Sequence, residues 1–289
     1  MDSQELFRRV RHIEIKTKAL TQNIFAGEYH SAFKGHGMSF AEVREYIAGD
    51  DVRDIDWNVT ARTGRPHIKL YEEERELTVM LLIDVSASQQ FGTRRQTQQD
   101  TAIEAAATLA FSALQNNDKI GAIYFSDRIE KFIPPKKGRK HVLYILREML
   151  DITPTGTDTD LNVGLEYFLR TTKRSSIAFL FSDFLDKHDY SKNLNIAAKK
   201  HDLVAVQLSD PFAQQLPDVG LLTLRDAETG TTQLVDTSSP RVRSAHSAWW
   251  HQKLQGIDQL LQKCGIDHTL LYTDGDTTQA LLRLFKHRS

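Results

Sequence analysis

The chain lacks features on which several large classes of protein depend. It has one cysteine, Cys264, which excludes an internal disulfide framework and a cysteine-based zinc site. Its 37 Lys and Arg residues balance 38 Asp and Glu residues, for a net charge of -1. That balance argues against a broad basic face for nucleic acid. The histidines show no HxxxH or HExxH spacing, so zinc hydrolysis has no motif support.

Long apolar runs are also missing. The longest, Val79–Ile83 and Ile177–Phe181, have the length of strands and fall far below the ~18 residues of a transmembrane helix. The first residues have no continuous apolar core after their basic side chains, so no signal peptide is predicted. We therefore expect a cytoplasmic protein without a transmembrane segment.

The N-terminal quarter differs in character from the rest. Residues 2–25 carry an apolar stripe at spacings of three and four, which predicts a basic amphipathic helix. Such a helix can dock on its own protein or, as an alternative, touch a membrane surface or an acidic partner. The chain is then dense in glycine, charge and aromatics, with short strands predicted at Asn58–Arg62 and His67–Tyr71. We interpret residues 1–76 as an extension pinned to the main domain by ion pairs, with Trp57 as a core anchor.

From residue 77 onward, strand and helix patterns alternate. Continuous apolar runs such as LTVMLLI, KIGAIYF and IAFLF are typical of strands buried on both faces. Two alternating arms around Gly230 predict a hairpin insertion near 221–236. The expected fold is α/β, with a doubly wound, mainly parallel sheet over residues 77–289. Strands are predicted over 77–83, 119–125, 176–181, 203–208 and 268–272, and helices over about 101–114, 140–150, 161–171, 190–200, 244–263 and up to 286.

Oxygen-bearing side chains follow three of these strands, where ligands bind in open α/β sheets. The first strand runs into Asp84, Ser86 and Ser88, which an extended loop would aim the same way. A Thr- and Asp-rich loop spans residues 155–160, and Ser182-Asp183 ends a third strand. Each piece alone also suits a turn or a helix cap. Together they form an all-oxygen set that suits Mg²⁺, with Mn²⁺ or Ca²⁺ as alternatives.

This arrangement resembles the metal-ion-dependent adhesion site of von Willebrand factor A domains. The resemblance implies that Asp84, Ser86 and Ser88 are ligands from the first loop. It implies Thr159 as the ligand from the second loop, with Thr157 left open because the T-D-T-D repeat makes the register ambiguous. Asp183 would act through water, and an acidic residue of a partner would complete the ion.

A second resemblance covers most of the chain. The block over residues 35–88, from GHGMSF to LLIDVSAS, resembles the DUF58 family, as do PPKKGRKHVLYILRE, SDFLD and LPDVGLLTLRDAETG. It implies a bacterial adaptor that works with a MoxR-type AAA+ ATPase, in protein maturation or complex assembly. Many members carry transmembrane helices before this block, which this sequence lacks.

Three functions follow from these observations. The first is a non-enzymatic, Mg²⁺-dependent adaptor that binds a MoxR-type ATPase or an acidic client protein. The second is a Mg²⁺-dependent hydrolase or phosphotransferase using Asp84 and Asp183. It is disfavoured because no basic phosphoryl-transfer motif and no GxSxG elbow occur. The third is a scaffold whose metal site is vestigial. No catalytic residue is predicted.

Overall fold

A computed structural model describes most of the chain. The described residues are 8, 10–14, 29, 32, 33, 38–73, 77–93, 96–156 and 158–288. The strands are β1 (Met38–Glu45), β2 (His67–Glu73), β3 (Thr78–Asp84), β4 (Lys119–Phe125), β5 (Ile129–Lys136), β6 (Ile177–Ser182), β7 (Asp202–Ser209), β8 (Leu221–Arg225), β9 (Thr232–Asp236) and β10 (Asp267–Tyr272). The helices are α1 (Trp57–Thr63), α2 (Gln98–Gln115), α3 (Arg139–Asp151), α4 (Leu161–Thr171), α5 (Ser191–Lys200), α6 (Pro211–Gln214), α7 (Pro240–Lys263) and α8 (Thr277–Arg288), with short 3₁₀ helices at Val52–Asp54 and Ala87–Gln90.

The central sheet has the order β10-β7-β6-β3-β4-β5. Every neighbouring pair is parallel except β4 and β5, which are antiparallel. This confirms the predicted α/β class with a mainly parallel sheet. No strand is predicted over β5, whose Pro134 and Pro135 argue against one in the middle of a sheet. Its place at the edge of the sheet explains how prolines are tolerated, since an edge strand leaves some backbone N–H positions unpaired.

Helices cover both faces of the sheet, because successive side chains of a strand point to opposite sides. Val79, Leu81 and Ile83 of β3 join a core with residues of α2, α3 and α8. Met80 and Leu82 join a second core with residues of α4, α5 and α7. The continuous apolar run of β3 is therefore explained by burial on both faces, and the fold is doubly wound.

The extension departs from its prediction at α1. The segment Asn58–Arg62 was predicted as a strand, but it lies inside a helix. Asp56 caps that helix by accepting hydrogen bonds from two backbone N–H groups of its first turn, and Gly64 ends it at a φ of 72°. Trp57 is 69% exposed, so its prediction as a core anchor is wrong.

Ion pairs do form in the extension, as the density of charge predicts. Arg44 donates two hydrogen bonds to Asp50, at 2.7 and 2.8 Å. Arg65 reaches Glu45 at 3.1 Å. These two pairs join residues of the extension to one another, whereas the pair between Glu14 and Arg139 of α3 joins the extension to the main domain.

Part of the predicted N-terminal helix is described. Residues 10–14 are helical, Val10 is buried in the first core, and Glu14 accepts a hydrogen bond from Arg139 of α3. The rest of the predicted helix over 2–25, apart from residue 8, lies outside the described residues. The domain boundary at residue 76 stays a prediction. Within the described part of the chain, no helix combines the length and apolar character needed to cross a bilayer.

Candidate metal centre

The predicted site lies at the carboxyl ends of β3 and β6. These strands are neighbours, and the chain order reverses between them, which is where open α/β sheets form a ligand crevice. Asp84 is the last residue of β3, and Ser182 is the last residue of β6. The hydroxyl of Ser182 donates to Asp84 Oδ2 at 2.7 Å. Asp84 and Asp183 are both buried.

The loop after β3 brings two hydroxyls together. The backbone N–H of Ser86 donates to Asp84 Oδ1 at 2.9 Å, and the Oγ atoms of Ser86 and Ser88 are 3.2 Å apart. The expectation of an extended loop is wrong, because the 3₁₀ helix Ala87–Gln90 begins directly after Ser86. A tight turn, and not strand alternation, therefore places the two hydroxyls side by side.

Gln89 is a member of this cluster that sequence reasoning missed. Its Nε2 donates to Asp84 Oδ2 at 3.4 Å and to Ser88 Oγ at 3.3 Å. Its Oε1 is buried and has no hydrogen-bond partner among the described residues. Asp183 accepts from the backbone N–H of Leu185 at 3.0 Å, and the nearby Ser88 side chain acts to lower its pKa. Asp183 therefore lies beside the first loop. The 3₁₀ turn that brings in Gln89 has no clear signal in the sequence.

The second loop is held by Glu130 of β5. Its Oε1 accepts from the backbone N–H groups of Thr155 and Gly156 at 3.0 and 2.7 Å, and from Ser126 Oγ at 2.7 Å. This anchor fixes the loop that leads to Thr159, which is buried. Thr157, the alternative ligand, lies outside the described residues.

Thr159 contacts a residue that was not predicted to belong to the site. Its Oγ1 donates to Glu228 Oε1 at 2.7 Å. Glu228 lies in the turn between β8 and β9, so the hairpin insertion reaches the carboxyl edge of the central sheet. The acidic turn was visible in the sequence, but its position over this edge was not.

Burial and mutual repulsion favour the protonated form of several carboxyl groups at this edge. Burial and the neighbouring Asp183 raise the pKa of Asp84 to about 7, and burial also raises the pKa of Asp183. Burial and contact with Asp158 raise the pKa of Glu228 to about 7. The ion pair with Lys187 lowers the pKa of Asp158. The hydrogen bonds that Asp84 and Asp183 accept come from neutral groups.

This donor set fits a hard divalent cation. Carboxylate, hydroxyl and amide oxygens are the ligands that Mg²⁺ and Ca²⁺ prefer. Hydrogen bonds join Asp84, Ser86 and Ser88, Asp183 lies beside them, and the buried negative charge would be neutralised by a cation. The assignment of individual residues as ligands stays a prediction.

A second group of possible ligands lies beside the site. Asp160, Asp186 and His188 each offer one atom within 4.8 Å of the others. Asp186 accepts from the backbone N–H of Leu161, and Asp160 caps the same helix, α4. His188 Nδ1 lies 2.9 Å from Asp186 Oδ1. These contacts account for the two carboxylates as caps of a helix N-terminus.

Sequence comparisons place the chain among related proteins. The family model described as "Protein of unknown function DUF58" matches residues 42–254. An uncharacterized protein of Mycobacterium bovis is 31% identical over 292 residues, which cover 100% of this chain and 91% of that protein. An uncharacterized protein of Mycobacterium tuberculosis matches to the same extent.

Solved structures share the fold. The conserved hypothetical protein BatB from Bacteroides thetaiotaomicron aligns with a TM-score of 0.50 and 13% identity. The alignment covers 73% of this chain and 98% of that one. An aerotolerance-related membrane protein from Bacteroides fragilis aligns over the same shares, with a TM-score of 0.50 and 12% identity. At such low identity these likenesses show the fold alone.

Proposed function

We propose that this chain, which belongs to the DUF58 family, is a non-enzymatic module that binds a protein partner through a divalent cation. One observation carries the proposal. Hydrogen bonds join Asp84, Ser86 and Ser88 at the switch point of the sheet, and Asp183 lies beside them. The similarity of these residues to the adhesion site of von Willebrand factor A domains supports the same interpretation.

The proposed site residues would bind the ion in two ways, directly or through water. Asp84, Ser86, Ser88 and Thr159 would bind it directly, and Asp183 would bind through water. Mg²⁺, when bound, supplies a positive charge that a partner's carboxylate can meet; Mn²⁺ and Ca²⁺ are alternatives. Because three of the direct ligands are neutral hydroxyls, they leave most of that charge unneutralised. Of these direct ligands, Asp84 ends the buried strand β3, whereas Ser86, Ser88 and Thr159 lie in the loops at the same edge of the sheet.

The family resemblance supports the choice of partner. We propose a MoxR-type AAA+ ATPase, or a client protein of such an ATPase, that offers an acidic residue to the ion. The proposed location is the cytoplasm, and the proposed process is protein maturation or complex assembly. Recognition through one ion also agrees with the near-neutral chain, whose net charge of -1 gives little long-range attraction to a partner.

We propose no catalytic role for Asp84 or Asp183. Phosphoryl transfer needs positive groups around the transferred phosphate. Lys187, a basic residue at this edge, is paired with Asp158. No specific contact favours the hydrolase or phosphotransferase alternative. Turnover of phosphate or ester substrates that is abolished by Asp84→Asn would overturn this part of the proposal.

The test is partner capture from the host organism, read by mass spectrometry. The wild-type chain is compared in Mg²⁺ and in EDTA, beside Asp84→Ala. Asp236→Asn is the matched control, because it removes a carboxylate at the exposed far end of β9. We expect capture by the wild type and the control in Mg²⁺, and loss of capture in EDTA or with Asp84→Ala. Equal capture under all conditions would refute the ion-dependent mechanism.

Calorimetry with Mg²⁺ and Mn²⁺ addresses the third function, a scaffold with a vestigial site. We expect binding by the wild type and none by Asp84→Ala. Absence of binding by a folded wild-type chain would favour the scaffold.

A further inference from the structure

We propose that Glu228 is an internal ligand of this site: the β8–β9 hairpin places its own carboxylate where a partner's acidic residue would bind. The inference rests on the proposed function, because it assigns Glu228 to the same ion. It adds that the free protein is closed by its own hairpin, and that a partner must displace Glu228 to reach the ion.

The position of Glu228 supports this assignment. Its Oε1 accepts from Thr159 Oγ1 at 2.7 Å, so the carboxylate touches the hydroxyl assigned to the second loop. The carboxylates of Asp158 and Asp183 are close enough to raise the pKa of Glu228. Carboxylates placed this close repel one another unless a cation or proton lies between them. A shared divalent ion would turn that repulsion into coordination.

The turn is built to present this side chain. Asp226 Oδ1 accepts from the backbone N–H groups of Glu228 and Thr229, at 3.0 and 2.7 Å. The Gly230 N–H closes the turn on the carbonyl of Asp226 at 3.0 Å, with a positive φ of 69° that favours glycine. Glu228 is partly buried, whereas Asp226, Ala227 and Thr229 are exposed. The turn therefore directs Glu228, alone among these four residues, toward the protein.

The hairpin is also suited to leave the site. β8 and β9 form a sheet of their own that does not join the central sheet. Leu221 and Leu234 are 68% and 64% exposed, so these large apolar side chains of the hairpin are not buried against the domain. An isolated two-stranded hairpin is marginally stable and depends on such packing. Leu222, Leu224 and Val235 of the hairpin are partly buried, and displacing the hairpin would expose these three side chains further.

The first experiment measures the binding of Mn²⁺ without any partner. Electron paramagnetic resonance reports the concentration of the free ion, and the relaxation of water protons reports the water around the bound ion. Variants are Glu228→Gln and Glu228→Ala, with Asp236→Asn as the control on the same hairpin. Loss of a partner outside the direct ligand shell weakens metal binding about 10–100-fold, so we expect at least about tenfold weaker Mn²⁺ binding for both Glu228 variants. Water relaxation per bound ion should rise, since water replaces the carboxylate. The control should match the wild type in both measurements.

The second experiment adds a carboxylate from outside. The probe is the peptide acetyl-Gly-Glu-Gly-amide, with acetyl-Gly-Gln-Gly-amide as its neutral match. With Mn²⁺ bound, the Glu peptide should lower water relaxation in Glu228→Ala by displacing water, with a smaller effect on the wild type. Equal effects of the Glu peptide on both proteins would overturn the internal-ligand proposal, as would equal effects of the two peptides.

The outcomes separate the two proposals. If Asp84→Ala loses Mn²⁺ while both Glu228 variants bind it like the wild type, the ion site stands and the internal ligand is refuted. If the wild type binds no Mn²⁺, both proposals fail. Circular dichroism of each variant establishes that the chain is folded, and the exposed hairpin turn makes a global loss of structure unexpected.

Discussion

Asp84→Asn should stabilise the protein in EDTA and abolish its stabilisation by Mg²⁺. Asp84 is 2% exposed, and its carboxylate lies close to that of Asp183. Without an ion, the charge on Asp84 is a cost to the folded state. An amide removes this charge and keeps the shape. Asn Oδ1 can accept from the Ser86 N–H, and the hydroxyl of Ser182 can accept from Nδ2.

The size of the effect follows from the pKa of Asp84. Burial and Asp183 raise it from 3.8 to about 7, so the folded state holds its proton to higher pH than the unfolded state. The destabilisation is therefore absent below about pH 4 and complete above about pH 7. At about 1.4 kcal/mol per pKa unit, the ceiling is about 4 kcal/mol. Altered hydrogen bonds offset about 1–2 kcal/mol of this, which leaves a gain of about 2 kcal/mol at pH 8.

Mg²⁺ should reverse the order of stability. An ion that binds the folded state alone stabilises it by about 2.7 kcal/mol at one hundred times its Kd. The wild type should gain this amount, and Asp84→Asn should gain almost nothing. The assay is urea unfolding at pH 8, in EDTA and in a series of Mg²⁺ concentrations.

Asp210 provides the matched control. It lies just after β7, at the same edge of the sheet, and is fully buried. Although burial alone would raise its pKa, hydrogen bonds from Thr273, Thr93 and the Phe212 N–H lower it. Asp210→Asn should therefore destabilise the protein, equally in EDTA and in Mg²⁺. The reasoning is refuted if Asp84→Asn destabilises in EDTA as Asp210→Asn does, or if Mg²⁺ stabilises both variants alike.

Three further predictions concern other parts of the domain. Gly164→Ala would place a Cβ 2.8 Å from the ring of Phe125, so it should lower the free energy of unfolding in urea by about 1–3 kcal/mol. As a control, Gly256→Ala of α7 has open space around its Cβ and should raise the free energy of unfolding by up to about 1 kcal/mol. Burial lowers the pKa of His201 from 6.5 to about 4, so the unfolded state binds a proton before the folded state does. The free energy of unfolding should therefore fall by up to about 3 kcal/mol as the pH drops through this range. A His201→Gln variant with the same dependence on pH would contradict this. Glu130→Gln should weaken Mn²⁺ binding several-fold by loosening the second loop, and a dissociation constant equal to that of the wild type would show that the loop does not depend on this anchor.

The central fold could be predicted because its signals are local and strong. The run LTVMLLI is apolar at every position but one, and such a pattern satisfies a strand only if helices cover both faces. The alternation of such runs with helical patterns then requires parallel strands joined by crossovers. Asp84 and Asp183 could be placed near each other for the same reason, since the carboxyl ends of parallel strands meet at one edge.

Prediction failed where weak local preferences competed. The segment Asn58–Arg62 was assigned to a strand, but the cap at Asp56 and the positive φ of Gly64 select a helix. β5 contains two prolines that count against a strand in any central position. Its edge position, which local sequence does not reveal, makes them acceptable.

The sequence by itself determined the class of fold, the edge of the sheet where the proposed site lies and most of the oxygen-bearing side chains found there. These depend on the periodicity of side chains and on the direction of parallel strands. Only the tertiary structure decided that Gln89 joins the cluster and that Glu228 reaches Thr159 across 69 residues of chain. Such contacts depend on where a 3₁₀ turn and a hairpin pack, and this is set by the shape of the whole domain rather than by any local pattern.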